Sequence, residues 1–382
     1  MLQEFLDAKP LYYDEIDYAR MPRVYQRIRE YYKLPKIIHL IGTNGKGTTG
    51  RFLATALYRL GYNTGHYTSP HILEFNERVW FNGCDVSMEI LEATHQQLIT
   101  ILTPQEAKAL SYFEYTTLLA MLLFSQKSDF VILEAGLGGE YDATAVFENI
   151  LTLVTPIDKD HEAFLGESID DIAQTKLNAI EKCAILAKQR YKTVYDSLGD
   201  LREQKGIIFY SYEELLESED YENIAIIAKE EKLAPYLVQN LSLAIAALKY
   251  LKIKYQEEVF YNARLFGRLS SLAKNILVDV GHNVLAAESI LESLKGKKYI
   301  LVYNSYKDKN YKEILSILQP IISRVELIDV YNARVEESSF LQEALESLGI
   351  EYSKFTELDN KEHYLVFGSF SVVEAFLKVY RG

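Results

Sequence analysis

The chain has 382 residues, more than one ordinary core accommodates, and at ~100–200 residues per domain its length predicts two. Apolar residues make up 48%, ample for burial, while a net charge of −13 argues against nonspecific nucleic-acid or membrane binding through bulk charge. No stretch reaches the ~18–20 continuous apolar residues of a membrane span, the N-terminus lacks a basic region followed by an apolar one, and Cys84 and Cys183 form no C-x-x-C pair. A cytosolic protein with reduced thiols is expected, without a disulfide framework or a zinc site.

The first clear unit along the chain is IIHLIGTNGKGTTGRFLATAL. The apolar, β-branched run from Ile37 to Ile41 predicts a buried parallel strand, and Phe52, Leu53, Ala56, Leu57 and Leu60 recur at helical spacing. Between them Gly42, Gly45 and Gly47 predict a strand-to-helix turn whose N–H groups, with the helix dipole behind them, suit phosphate oxygens. In that reading the turn Gly42, Thr43, Asn44, Gly45, Lys46, Gly47, Thr48 binds a nucleotide, with Lys46 at the β- and γ-phosphates and Thr48 on Mg²⁺. The turn is a short variant, because Leu40 stands where the full phosphate-loop pattern has its first glycine. The alternative is a glycine-rich turn with a surface lysine; the flanking strand and helix favour the nucleotide.

Further along, strands are predicted at Thr64 to Thr68, DFVILEA and ILTLVTPI, with a helix from Ser111 to Phe124. Ser168 with Asp171 caps a helix running through Ile180, and strands CAILA, GIIFYS and NIAIIA precede a helix from Pro235 to Leu251. This alternation predicts an α/β fold with a mostly parallel sheet. After KIKYQEEVFYNAR it starts afresh: strand NILVDV, a helix from Val284, strand KKYILVY, a helix at Tyr311 to Leu318, strand RVELIDV, a helix at Glu336 to Leu348, strand HYLVFGS and a last helix. A second, smaller α/β domain is therefore expected, divided from the first near residue 258 as 1–258 and 259–382.

Ligands of open α/β sheets sit beyond the carboxyl ends of the strands. Glu134 ends VILEA, Asp158, Asp160 and His161 follow LTLVTPI, and Ser69 and His71 follow the Thr64 strand. Mg²⁺ takes oxygen ligands and shares phosphate oxygens with its nucleotide, so Thr48, Ser69 and Glu134 are candidate ligands, with His161 at a second ion. Each alone has a plainer reading as a partner of loop backbone. Their coincidence at one edge beside the glycine turn favours metal-nucleotide binding.

These residues resemble the folate branch of the Mur ligases, folylpolyglutamate synthase and dihydrofolate synthase. HLIGTNGKGT is similar to the family's ATP loop, YTSPHILEFNERVWFNG to its T-S-P-H segment, and ILEAGLGGEYDAT to its E-x-G-L-G-G-x-x-D-A-T signature. DKDHEAFLGESIDDIAQTKLNAI is similar to the segment bearing a histidine and a carbamylated lysine, and FGRLS, VDVGHN and YKDK to shorter second-domain motifs. The resemblance implies a Mur-ligase-like fold, a P-loop ATPase domain with a mostly parallel sheet followed by a Rossmann-like C-terminal domain. It implies ATP and Mg²⁺ at two sites, with Ser69 and Glu134 on the first ion, His161 on the second, and Lys176 as a carbamate supporting the second. Asn240, Arg268, Asp279 and His282 would contact the nucleotide, from both domains, implying closure before chemistry. His282 would position the acyl phosphate or glutamate. This chain departs from the pattern at Glu140, Ala145, Leu237 and Phe266, where the family has Arg, Asn, Gln and Pro.

The implied reaction is ATP-dependent amide formation between L-glutamate and the carboxylate of dihydropteroate or a folate, through an acyl phosphate, by a monomeric cytoplasmic enzyme of folate biosynthesis and one-carbon metabolism. Such chemistry needs positioning and charge neutralisation, in keeping with a site that has no obvious nucleophile. FLDAKPLYYDEIDYARMPRVYQRI and SYFEYTTLLAMLLF lie where pterin-contacting segments fall in the family. The alternatives are a cell-wall Mur ligase acting on a UDP-muramyl precursor and a nucleotide-binding regulator without ligase activity.

Overall fold

The β1 run KIIHLI is buried from Ile37 to Ile41 on both faces, as a central strand covered by helices on each side must be. The computed structural model describes residues 1–10 and 17–381; residues 11–16, within the first segment expected against the pterin, lie outside the described residues. The chain forms two compact units, Met1–Lys232 with Gln239–Ala263, and Leu233–Val238 with Arg264–Gly382.

The first unit holds an eight-stranded sheet: β1 (Lys36–Ile41), β2 (Thr64–Tyr67), β3 (Val79–Phe81), β4 (Cys84–Asp85), β5 (Phe130–Glu134), β6 (Leu151–Val154), β7 (Cys183–Leu186) and β8 (Ile208–Ser211). Their spatial order is β4-β3-β2-β5-β1-β6-β7-β8. The six strands from β2 to β8 in that order are parallel, and β3 and β4 extend the β2 edge antiparallel. Because β1 lies between β5 and β6, the carboxyl ends of β2, β5, β1 and β6 open side by side. That edge receives Ser69, Glu134, Gly42 and the 158–161 segment. The helix Tyr112–Ser125, buried at every position from Tyr115 onward, fills one side of the sheet as an element apolar all round.

One expected strand is a helix. NIAIIA lies within the helix Ser218–Glu230, whose buried residues Asp220, Ile224 and Ile227 recur at helical spacing while Ile226 is exposed. The run of β-branched residues read as a strand, but only one face is buried, so period 3.6 governs. The other strands and helices named above fall where the sequence put them, with ends differing by a few residues. The helices Met88–Ile101 and Lys192–Lys205 and the β3–β4 pair were not anticipated.

The second unit contains β9 (Ser270–Ala273), β10 (Ile276–Val278), β11 (Tyr299–Tyr303), β12 (Ile322–Leu327), β13 (Tyr352–Lys354) and β14 (Tyr364–Phe367), ordered β13-β12-β11-β14-β10-β9. All pairs are parallel except β9 with β10. Leu301, Tyr303, Leu365 and Phe367 form its core with the helices Val284–Leu294 and Tyr311–Leu318. Among the described residues no helix is long and apolar enough to cross a membrane.

Candidate active site

The turn after β1 is built around two left-handed glycines. Gly42 has φ +132° and Gly45 φ +94°, and a Cβ on Gly45 would lie 2.4 Å from Asn240 Oδ1, so the buried Asn240 fits only against glycine. The helix Lys46–Arg59 starts directly from Gly45, and the N–H groups of its first turn have no intrahelical acceptor. Not every N–H faces inward as the sequence reading has it. Thr43 and Asn44 donate to Pro156 O at 2.9 and 3.4 Å, which ties the front of the turn to the segment after β6. The N–H groups left for an anion are therefore those of the helix start. Lys46 folds over the turn, its Nζ donating to Gly42 O at 3.2 Å and Thr43 O at 3.3 Å.

The oxygen donors fit a hard cation. Thr48 Oγ1 is buried and has no hydrogen-bond partner among the described residues, which leaves a hydroxyl in position to accept a ligand's contact. Glu134, also buried, accepts from Thr68 Oγ1 and, at 3.3 Å, from Ser69 N, so the T-S-P-H segment and the end of β5 are held together by one carboxylate. Among the described residues no three His, Cys, Asp or Glu side chains gather as a self-sufficient metal cage. A set of two hydroxyls and one carboxylate suits an ion that takes its other ligands from phosphate and water. His161, at φ +55°, lies on the 158–161 segment, its Nε2 4.0 Å from Asp160 Oδ1.

Lys176 is the least expected side chain for an ordinary helix. The face of Ile169–Leu177 bearing Ile172, Ala173 and Lys176 is buried, Lys176 being 3% exposed, and its Nζ donates to Gly42 O at 3.1 Å. Two ammonium groups, those of Lys46 and Lys176, thus share one carbonyl at the base of the turn. Burial first, and the Lys46 charge second, push the Lys176 pKa down to about 7, against a smaller upward pull from Asp160 and Asp142. Of the departures, Glu140 accepts from Asn178 Nδ2 at 2.7 Å, and Leu237 is buried.

In the second unit Asp279 follows β10 and is enclosed. Its carboxylate accepts from Tyr236 OH (2.8 Å), Leu269 N (2.8 Å) and Gly281 N (2.7 Å), and burial pushes its pKa up. Asp279 therefore fixes the two turns that carry Arg268 and His282. The Arg268 guanidinium lies 5.2 Å from the Phe370 ring centroid, and His282 Nδ1 lies 3.1 Å from Val280 O. Sequence reasoning missed Tyr236, whose hydroxyl has no motif around it. It also missed Asp142 as an organiser, although the D-A-T of the quoted signature contains it.

A dihydrofolate synthase/folylpolyglutamate synthase of Haemophilus influenzae is 30% identical over 362 residues, covering 86% of this chain and 82% of that one. The chain belongs to the dihydrofolate synthase/folylpolyglutamate synthase family. The crystal structure of Helicobacter pylori folylpolyglutamate synthetase matches with TM-score 0.81 and 38% identity, over 100% of this chain and 98% of that one. A bifunctional folylpolyglutamate synthase/dihydrofolate synthase of Yersinia pestis, solved with AMPPNP and a Mn ion, shares the fold with TM-score 0.83 at 24% identity, over 100% and 97% of the two chains. No family model matches the chain. The Mur-ligase-like α/β architecture expected from the sequence is the architecture of this family.

Proposed function

We propose that the protein is an ADP-forming ligase of folate metabolism that joins L-glutamate to the carboxylate of dihydropteroate, of a folate, or of both. The observation that carries this reading is the convergence of Lys46 and the buried Lys176 on Gly42 O at the base of a glycine turn. A surface turn has no use for a second, desolvated lysine; a site handling phosphate charge and metal does. The first unit is assigned to ATP, with Asn240 beside the turn; Arg268 and Asp279 of the second unit are assigned to the nucleotide and His282 to positioning the acyl phosphate or glutamate, Asp279 holding the turns that carry the other two.

In this mechanism a carboxylate oxygen of the substrate attacks the γ-phosphorus and ADP leaves. The amino nitrogen of glutamate then attacks the acyl carbon, and inorganic phosphate departs as the amide forms. Lys46 and the first-turn N–H groups of Lys46–Arg59 hold the charge that moves onto the transferred phosphoryl oxygens. Thr48, Ser69 and Glu134 would hold one Mg²⁺, and His161 with a carbamate on Lys176 a second, supplying charge neutralisation at the phosphates. A lysine whose pKa lies near 7 has the neutral amine that carbamylation by CO₂ requires. A monomer acting in the cytoplasm goes with this reading.

The test is to supply the protein with ATP, Mg²⁺ and glutamate plus either dihydropteroate or tetrahydrofolate, and to follow ADP and the amide product. Product with one or both carboxylates is expected. ATP hydrolysis unlinked to glutamate would favour a nucleotide-binding regulator, and tight binding of a UDP-muramyl precursor, offered in a parallel titration, a cell-wall ligase.

A further inference from the structure

His39 occupies the middle of β1, three residues before Gly42, and is 1% exposed between Leu133 of β5 and Thr152 of β6. Its neighbours Ile37, Ile38, Leu40 and Ile41 are the apolar residues that a central strand calls for. Its Nε2 lies 2.8 Å from Thr144 Oγ1, while its Nδ1 is buried without a partner among the described residues.

The direction of that hydrogen bond follows from what lies beyond it. The Thr144 hydroxyl donates to Asp142 Oδ1, and Asp142 also accepts from Thr144 N (2.9 Å), Gly136 N (3.0 Å) and Leu137 N (2.9 Å). A carboxylate meeting four donors only accepts, and a hydroxyl has a single proton. Thr144 has committed that proton to Asp142, so Thr144 Oγ1 accepts from His39, and the imidazole is the neutral Nε2–H tautomer. Burial, which pushes the His39 pKa down to about 4, keeps it neutral throughout the ordinary pH range.

The relay runs from β1 to the loop that begins just after Glu134. On its other side that loop rests on the Lys176 helix: Glu140 N donates to Thr175 O at 3.0 Å, and Gly139 packs against the backbone of Lys176. We propose that His39, as a neutral Nε2–H donor acting through Thr144 and Asp142, is a positioning residue that holds this glycine loop, and with it Glu134 and Lys176, in register with the phosphate turn. The proposal rests on the ligase reading above. A fold needing only a filler here would be better served by Leu, since a buried Nδ1 without a partner among the described residues is destabilising. The imidazole therefore costs stability where it stands, and what it supplies in return is the Nε2–H donor to Thr144.

Three measurements on the full chain test it. Nitrogen NMR of histidine-labelled protein is expected to show His39 with a protonated Nε2 and a bare Nδ1. His39→Leu is expected to keep the wild-type melting temperature or exceed it and to leave KM for ATP unchanged, while kcat falls by about tenfold or more, the scale of a small displacement at a reacting centre. His39→Gln, whose amide nitrogen can reach the place of Nε2, is expected to restore kcat to within about threefold of wild type. A Nδ1–H tautomer, a His39→Leu protein turning over like wild type, or a loss in both variants that tracks their unfolding would each overturn the proposal. Wild-type protein that fails to ligate any carboxylate defeats the ligase reading instead, and the two failures are thereby distinguished.

Discussion

Removing the amine of Lys176 should make the protein more stable and less active at once. At pH 7.5 an ordinary lysine with pKa ~10.4 is neutral in about one molecule in a thousand. With its pKa at about 7, Lys176 is neutral in roughly three-quarters, so the amine able to take up CO₂ rises several-hundredfold. The same burial acts on stability. The folded pKa lies below the unfolded one, so the fold is penalised as pH falls through the window from 10.5 to about 7, and the penalty is complete below it. At 1.36 kcal/mol per unit the full penalty has an upper limit of about 5 kcal/mol. Lys176→Met, apolar and of similar length, should therefore raise the urea midpoint of the ligand-free protein at pH 7, with the gain shrinking toward pH 10.

The assay side separates a carbamate from a plain cation. In buffer freed of CO₂, ligation by the wild type should fall and return on adding bicarbonate, and ¹³C-labelled bicarbonate should give a carbamate resonance absent from Lys176→Met. Lys176→Ala should lose activity that acetate partly restores, because the missing group is an anion. Ligation indifferent to CO₂ with no carbamate signal would refute the modification. A Lys176→Met protein less stable than wild type at pH 7 would refute the account of the lysine as a costly buried charge.

Lys46→Ala should lower kcat by about 10²–10³-fold, the scale for one charge-stabilising donor, with an unchanged melting temperature because, among the described residues, its Nζ hydrogen-bonds to two carbonyls of the turn; near-normal turnover would remove the phosphate-loop assignment. Glu134→Gln should shift the Mg²⁺ titration of ligation to higher concentration, and a curve overlaying the wild type would make Glu134 a purely structural tie between Thr68 and Ser69. Asp279→Asn replaces an acceptor of three hydrogen bonds by an amide that, with its oxygen toward Tyr236 OH and Leu269 N, turns its NH₂ toward Gly281 N. A loss of about 1–3 kcal/mol in urea unfolding is expected, and unchanged stability would show that Asp279 does not anchor its turns.

The strand ends that frame the candidate site were legible in the sequence because spacing and chain order carry that information. Ile37 to Ile41, the glycines that follow, and Glu134 at the end of VILEA are local patterns, and a parallel sheet delivers such strand ends to one side whatever the details of packing. Asp142 and His39 were opaque for the opposite reason. A histidine inside an apolar strand reads as filler, and only the pairing of β1 with β5 brings it within reach of Thr144, 105 residues away. Lys176 lies between these cases. Its spacing from Ile172 and Ala173 predicts a buried face, but what makes a lysine tolerable there is a carbonyl from Gly42, 134 residues distant. Pattern therefore reveals which residues are buried, and tertiary contact decides what burial does to them. NIAIIA shows the limit of the first step: its isoleucines carry strand propensity, and the helix prevails because Asp220, Ile224 and Ile227 bury one face while Ile226 faces solvent. Propensity yields where packing offers a different period, and in the site the same precedence lets a helix hold a desolvated lysine that solvent would otherwise claim.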